Sequence, residues 1–362
     1  MTVPPYRPTM AGLLLALVAS NLMAADPFVY VAGSAPDIAC FRLNAAAGTL
    51  TPASTSPGGR DPSYLAWSPD RRVVYAINSG ANGSRARSFR VDPTSGALTP
   101  LNEVAGGGKG ACHIAVHPTG KWVYTAHYGS GHVGILPVLA DGSLGEPLAT
   151  PLAGTKAHQV VIDRAGHFLF VPCLGVDQVV IYAIDPISGA LDPRPPATLP
   201  AGAGPRHLAF APDERRAYVF NELASTLTTF TVDPTTATFS EPQTVSTLPA
   251  GFTAKNTGAH VVVTPDGQTI YASNRGLDSL AIFRMEATSG TPTLMSQETA
   301  GGEIKRPRDF TVDPTGTIAL VANQDADVVT ILRINPTTGG LTRLGSVTVG
   351  KGSQFVGVMP VP

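Results

Sequence analysis

Charge is scarce in this chain: only 14% of its 362 residues are Asp, Glu, Lys or Arg, where soluble domains average roughly 25%. Long solvated helices need more than that, so a helical architecture is disfavoured. The charge present is balanced, 25 basic against 26 acidic residues for a net −1, which gives no polyanion-binding surface and no expectation of a nucleic-acid partner. No apolar run reaches the ~20 residues that a membrane-spanning helix needs. The longest, 11–19, follows Arg7 and precedes Ala24 and Ala25. That is the pattern of an export signal over residues 1–25, with the mature chain starting near Ala25 or Asp26, no membrane span after cleavage, and a periplasmic or secreted location. Cysteine is nearly absent: Cys40, Cys112 and Cys173 allow at most one disulfide, form no metal-binding cluster, and read as ordinary buried thiols. There is no Gly-rich phosphate loop, no nucleophile elbow and no zinc-type pairing of histidines, so neither cofactor nor metal is expected.

Turn formers, by contrast, are abundant, with 38 Gly and 33 Pro. They punctuate a phrase that recurs six times: a Pro or Asp turn, an apolar run, then Asn or a substitute. It starts at Ser68, His117, Asp163, Ala211, Thr264 and Asp313, at intervals of 46 to 53 residues. Repeats of this length built from short β-branched and aromatic runs are the signature of a β-propeller. Each unit reads as four strands, the third closing in an Asp-Pro-x-x-Gly turn such as Asp92–Gly96. The ends are complementary: 28–33 matches a second strand lacking a first, and 350–360 matches the first-strand phrase 202–212 without gaps. Six complete units and one shared unit predict an all-β, seven-bladed propeller of four-stranded antiparallel blades over residues 26–362, its last blade closed by both termini, which leaves no open edge.

Register then locates a site. The loop entering a first strand and the loop leaving a second strand lie on one face of the ring. Six residues before the turn Pro, most units carry a small or neutral residue, but three carry His158, Arg206 and Arg308. Ten residues after it, the outliers are Glu222 and Arg275. The five fall in four consecutive blades. One His, one Glu and three Arg at a channel mouth point to an anionic small molecule held by guanidinium forks beside an acid/base pair. His127, Tyr128, His132 and His113 border this face and are candidates to line the pocket. His207 and His260, one slot further in, read as core histidines satisfied by backbone carbonyls, and His117 and His167 lie at the opposite turns. Glu222→Gln is expected to abolish turnover while leaving folding intact, because a loop-end side chain carries little packing.

The phrases around these residues are informative in themselves. Gly204-Pro-Arg-His-Leu-Ala-Phe-Ala-Pro-Asp213 with Tyr218-Val-Phe-Asn-Glu-Leu223 closely resembles the signature of the seven-bladed propeller lactonases, a family that includes 6-phosphogluconolactonases and a carboxymuconate lactonizing enzyme. His158-Gln-Val160, Ser273-Asn-Arg-Gly276 and Arg306-Pro-Arg-Asp-Phe310 match as well, and the resemblance covers nearly all of the mature chain. It implies a pocket built from His158, Arg206, Glu222 and Arg275 and a lactone hydrolase acting on an anionic sugar-acid lactone. In that reading Glu222 or His158 draws a proton from water, Arg206 stabilises the oxyanion, and Arg275 and Arg308 hold the substrate's anionic group. A lactonizing cycloisomerase and a non-catalytic periplasmic binding module are the alternatives. The early unit departs from the family pattern: it ends in Asn78-Ser79 where Asn-Glu is frequent, which removes a possible pocket carboxylate.

Overall fold

Seven antiparallel sheets follow one another along the chain, as a computed structural model describing residues 26–79, 83–286 and 290–360 shows. The leader, 1–25, lies outside the described residues. Six of the sheets have four strands; in five of them the strands follow sequence order, the expected meander, and in the sixth the last strand of the chain precedes the first three. In the fourth blade the strands are Pro205–Phe210, Arg216–Asn221, Thr226–Asp233 and Thr238–Ser246. First strands of neighbouring blades pack side by side around a central axis, so entry loops and second-strand ends share one face.

One blade departs from the four-stranded expectation. After Ala111–Val116, Trp122–His127 and Val133–Pro137, the outer strand is replaced by isolated bridges, Ile135 to Ala149 and His132 to Leu152 among them. Pro137, Pro147 and Pro151 each lack an N–H in this stretch, but Leu191–Thr198 is a continuous outer strand with three prolines of its own, so proline alone does not account for the break.

The ring closes as the sequence requires. Phe28–Gly33 is the second strand of a blade whose first strand is Ser353–Met359, with Phe28 opposite Met359 and Ala32 opposite Phe355. At its mouth-facing end the Gln354 amide donates to Ser34 Oγ at 3.1 Å.

Between blades the core is made of second strands buried on both faces, which is why they read as unbroken apolar runs. A tyrosine in four of them fastens its blade to the next. The hydroxyls of Tyr30, Tyr75, Tyr124 and Tyr271 donate to the carbonyls of Gly96, Gly142, Gly189 and Gly339, at 2.7–3.1 Å. Gly96 and Gly189 both have φ of +70°, and an added Cβ would lie 2.6 Å from Cys40 Sγ and 2.5 Å from the Trp122 ring respectively. Glycine at these turns is therefore demanded twice, by backbone conformation and by the close approach of the adjacent blade. All three cysteines are free thiols.

Candidate active site

Two of the side chains singled out by register, Arg206 and Arg308, sit on β-bulges. In the fourth blade Pro205 pairs with Asn221 and His207 with Phe220, so Arg206 is the extra, unpaired residue. Arg308 is skipped in the same way between Pro307 and Asp309, as are Ser63, Cys112 and Gln354 in their blades. A bulge breaks the in–out alternation of a strand and re-aims a side chain. Two consecutive residues can then both face the axis: Arg206 toward the mouth and His207 into the channel, Arg308 toward the mouth and Asp309 into the channel.

These residues surround a cavity of about 310 Å³ whose walls include His158, Arg206, Glu222, Arg275 and Arg308, with Tyr128 at the rim. That volume is at the lower end of small-molecule sites, ~300–1,000 Å³. Glu222 bridges two guanidinium groups: its Oε2 lies 3.1 Å from Arg206 Nε and its Oε1 3.0 Å from Arg275 Nη2. Both arginines are also held from behind, Arg206 donating to Ala259 O at 2.6 Å and Arg275 to Gly258 O at 2.7 Å. Burial, then Arg275 and Arg308, pull the Arg206 guanidinium down to about 9, which leaves it a cation at neutral pH. Arg308 has no carboxylate within ion-pair distance among the described residues, and burial lowers it from its usual range. Three guanidinium groups thus face one paired carboxylate. Ser79 lies on the same wall, where an acid would have offset part of this charge.

His158 is 5% exposed, its Nδ1 has no hydrogen-bond partner among the described residues, and its ring is packed edge-on to Tyr128 at 5.7 Å and against His207 at 5.2 Å. Burial, then the neighbouring arginines, push its pKa well below the ordinary range, so the imidazole is neutral. A neutral ring is an acceptor of protons, the reverse of a resting donor.

Not every expected residue reaches the cavity. His127 is fully buried, with Nε2 2.8 Å from Gly106 O and 2.9 Å from Thr125 Oγ1; it occupies the position where other blades end the second strand in a buried Asn. His132 is also absent from the cavity wall, and His113 lies below it, stacked on Tyr64 at 4.1 Å. The channel histidines differ from expectation too. His207 and His260 pair with each other, Nδ1 to Nδ1 at 2.5 Å, instead of with backbone carbonyls. Asp309, which sequence reasoning passed over, stands 3.5 Å from His260 and also faces the cavity. The available signal was its place directly after a bulge arginine, equivalent to His207.

The fold is that of a seven-bladed β-propeller. The chain belongs to the family described as "Lactonase, 7-bladed beta-propeller", whose model matches residues 29–357. It is 30% identical over 327 residues to a 6-phosphogluconolactonase of Bacillus subtilis, covering 88% of this chain and 93% of that one. A 6-phosphogluconolactonase of Pectobacterium carotovorum is 31% identical, over 86% and 91% of the two chains. Among solved structures, a periplasmic gluconolactonase of Pseudomonas aeruginosa superposes with a TM-score of 0.84 at 29% identity, covering 93% of this chain and 99% of that one.

Proposed function

We propose that the protein hydrolyses an anionic sugar-acid lactone, with its chemistry in the arginine-walled cavity. The observation that carries this reading is the surplus of guanidinium: among the described residues no carboxylate lies within ion-pair distance of Arg308, and a substrate carboxylate or phosphate supplies a counter-charge. Arg275 and Arg308 hold that anion, while Arg206, fixed from two sides, faces the developing oxyanion. Preorganised donors of this kind are worth ~10²–10³ in rate apiece. With both oxygens of Glu222 engaged by arginines, neutral His158 is the better-placed base, taking a proton from water as it attacks the lactone carbonyl. It returns that proton to the ring oxygen when the C–O bond breaks. Glu222 sets the spacing and charge of the two guanidinium groups around it. The apolar stretch 11–19 and the periplasmic relative support export of the mature chain from about residue 26.

The test is a panel of aldono- and phosphoaldono-lactones with proton release as readout. The expected result is one proton per ring opened, with charged lactones preferred. Arg308→Ala is expected to raise KM for a charged lactone roughly 10–100-fold, from the ~1.5–3 kcal/mol of a hydrogen bond to a charged group, and to leave an uncharged lactone nearly unaffected. Equal losses on both would remove Arg308 from anion binding, and failure to open any lactone would overturn the function.

A further inference from the structure

Below the cavity the channel is closed by a single layer of polar rings. Tyr64 and Asp309 border the cavity above, and both also border a second cavity of about 330 Å³ beneath, which His113 and His260 line. His207 faces the upper cavity and His260 the lower, and their Nδ1 atoms are in hydrogen-bond contact at 2.5 Å. Among the described residues His207 Nε2 is buried without a hydrogen-bond partner, as is His158 Nδ1, and the two ring centroids stand 5.2 Å apart. His260 Nδ1 lies 3.5 Å from Asp309 Oδ1, and Asp309 accepts a hydrogen bond at its other oxygen, Oδ2, from Val356 N at 3.1 Å.

We infer that His207, His260 and Asp309 form a proton relay that carries the acid proton of each turnover from the catalytic cavity through the channel to the opposite face of the ring. The inference rests on the lactonase reading. Ring opening turns an ester and a water into a hydroxyl and a carboxylic acid, and ionisation of that acid leaves one proton to be removed. The mouth is an unfavourable exit for it, since three guanidinium groups surround that side and the product occupies it. Through the channel, the proton passes by way of His158 to Nε2 of His207. The Nδ1 proton of His207 moves to Nδ1 of His260, and the Nε2 proton of His260 leaves into the lower cavity. One proton enters and one leaves; each ring is then neutral in its other tautomer, and both must turn back to their starting tautomers before the next proton passes. Asp309 steadies the transient imidazolium of His260, and none of the three residues needs to touch the substrate.

The relay makes turnover depend on an acceptor at the far face, and that dependence is the test. His260→Phe keeps an aromatic ring against Phe310 but cannot pass a proton. In dilute buffer its kcat is expected to fall at least ~10-fold, within reach of the roughly 10²–10⁴ that positioned proton transfer contributes, with KM unchanged. Added imidazole, small enough for the lower cavity, is expected to restore it. Should His260→Phe not fold, His260→Gln, which keeps a polar group of similar reach, is read in the same assay. A loss that imidazole does not repair, or no loss in dilute buffer, overturns the relay while leaving lactone hydrolysis intact. A wild-type protein that opens no lactone overturns the proposed function and the relay with it.

Discussion

Glu222→Gln is expected to abolish lactone hydrolysis and, contrary to the sequence-based expectation, to weaken the fold as well. The side chain is not a free loop end: only 18% of it is exposed, and it is the single carboxylate joining Arg206 to Arg275, whose side chains are 3% and 8% exposed. An amide in its place presents one acceptor to two guanidinium groups and no charge, and Arg308 adds to the repulsion. Breaking a fully buried pair by removing one partner costs ~3–5 kcal/mol, and the partial exposure here places the loss toward the lower end of that range. Chemical denaturation should register this loss, and proton release should show a fall in kcat/KM beyond ~10²-fold as Arg206 loses its fixed position. The double variant Glu222→Gln/Arg275→Met removes the excess cation along with the carboxylate. It should regain much of the stability and none of the activity. A single variant as stable as the wild type would mean that the arginines are not held by Glu222.

Acid should unfold this protein at a pH where most carboxylates are still charged. Five buried histidines are held below their ordinary range, His127 at about 4, His260 at about 3, and His113, His158 and His207 well below it. In each case burial is the first cause. An unfolded histidine titrates near 6.5, so above that pH both states are neutral and nothing is lost. As pH falls below 6.5 the unfolded chain takes up protons that the folded chain refuses, and stability declines by about 1.4 kcal/mol per pH unit for each excess proton. Asp309 acts in the opposite direction. Burial pushes it up to about 7, so the stability linked to its protonation is present below pH 4 and is lost as pH rises through 7. One group does not offset five, and several excess protons exhaust a typical reserve of ~5–15 kcal/mol within a few pH units. Thermal unfolding followed from pH 7.5 to 4.5 should show a steep fall in Tm that begins near 6.5. A flat Tm over that window would mean that the folded histidines carry protons.

The fold was legible because its signals repeat. Turn prolines, Asp-Pro-x-x-Gly phrases and apolar second strands recur at nearly constant intervals, and the complementary ends reveal the shared blade. The exception is the irregular outer edge after Val133–Pro137. The site was legible for a related reason: repetition supplies a baseline, and His158, Arg206, Glu222, Arg275 and Arg308 stand out from it. What escaped was the consequence of the bulges. Strict alternation assigns the residue after a bulge to the strand's other face, so His207 and His260 read as core residues and Asp309 was passed over, whereas the extra residue turns them into the channel. His127 misled for the opposite reason. Its chemistry suits a pocket, but its position at the end of a second strand is a structural one, filled in other blades by an Asn whose amide bonds the neighbouring strand.

The shared blade also bears on the order in which this molecule is completed. Phe28–Gly33 is the first strand of the described chain to be synthesised, yet its axial-side partner, Ser353–Met359, is the last. The pairing with the greatest sequence separation is therefore the one that seals the ring, and contacts of such high contact order form late. Until it forms, the blades are an open arc with one unpaired edge and the channel layer lacks Phe355. A chain that cannot finish folding until its final residues are free is suited to crossing a membrane as an extended polymer and assembling on the far side. On the export proposed above, crossing and catalysis are separated in time by a single strand.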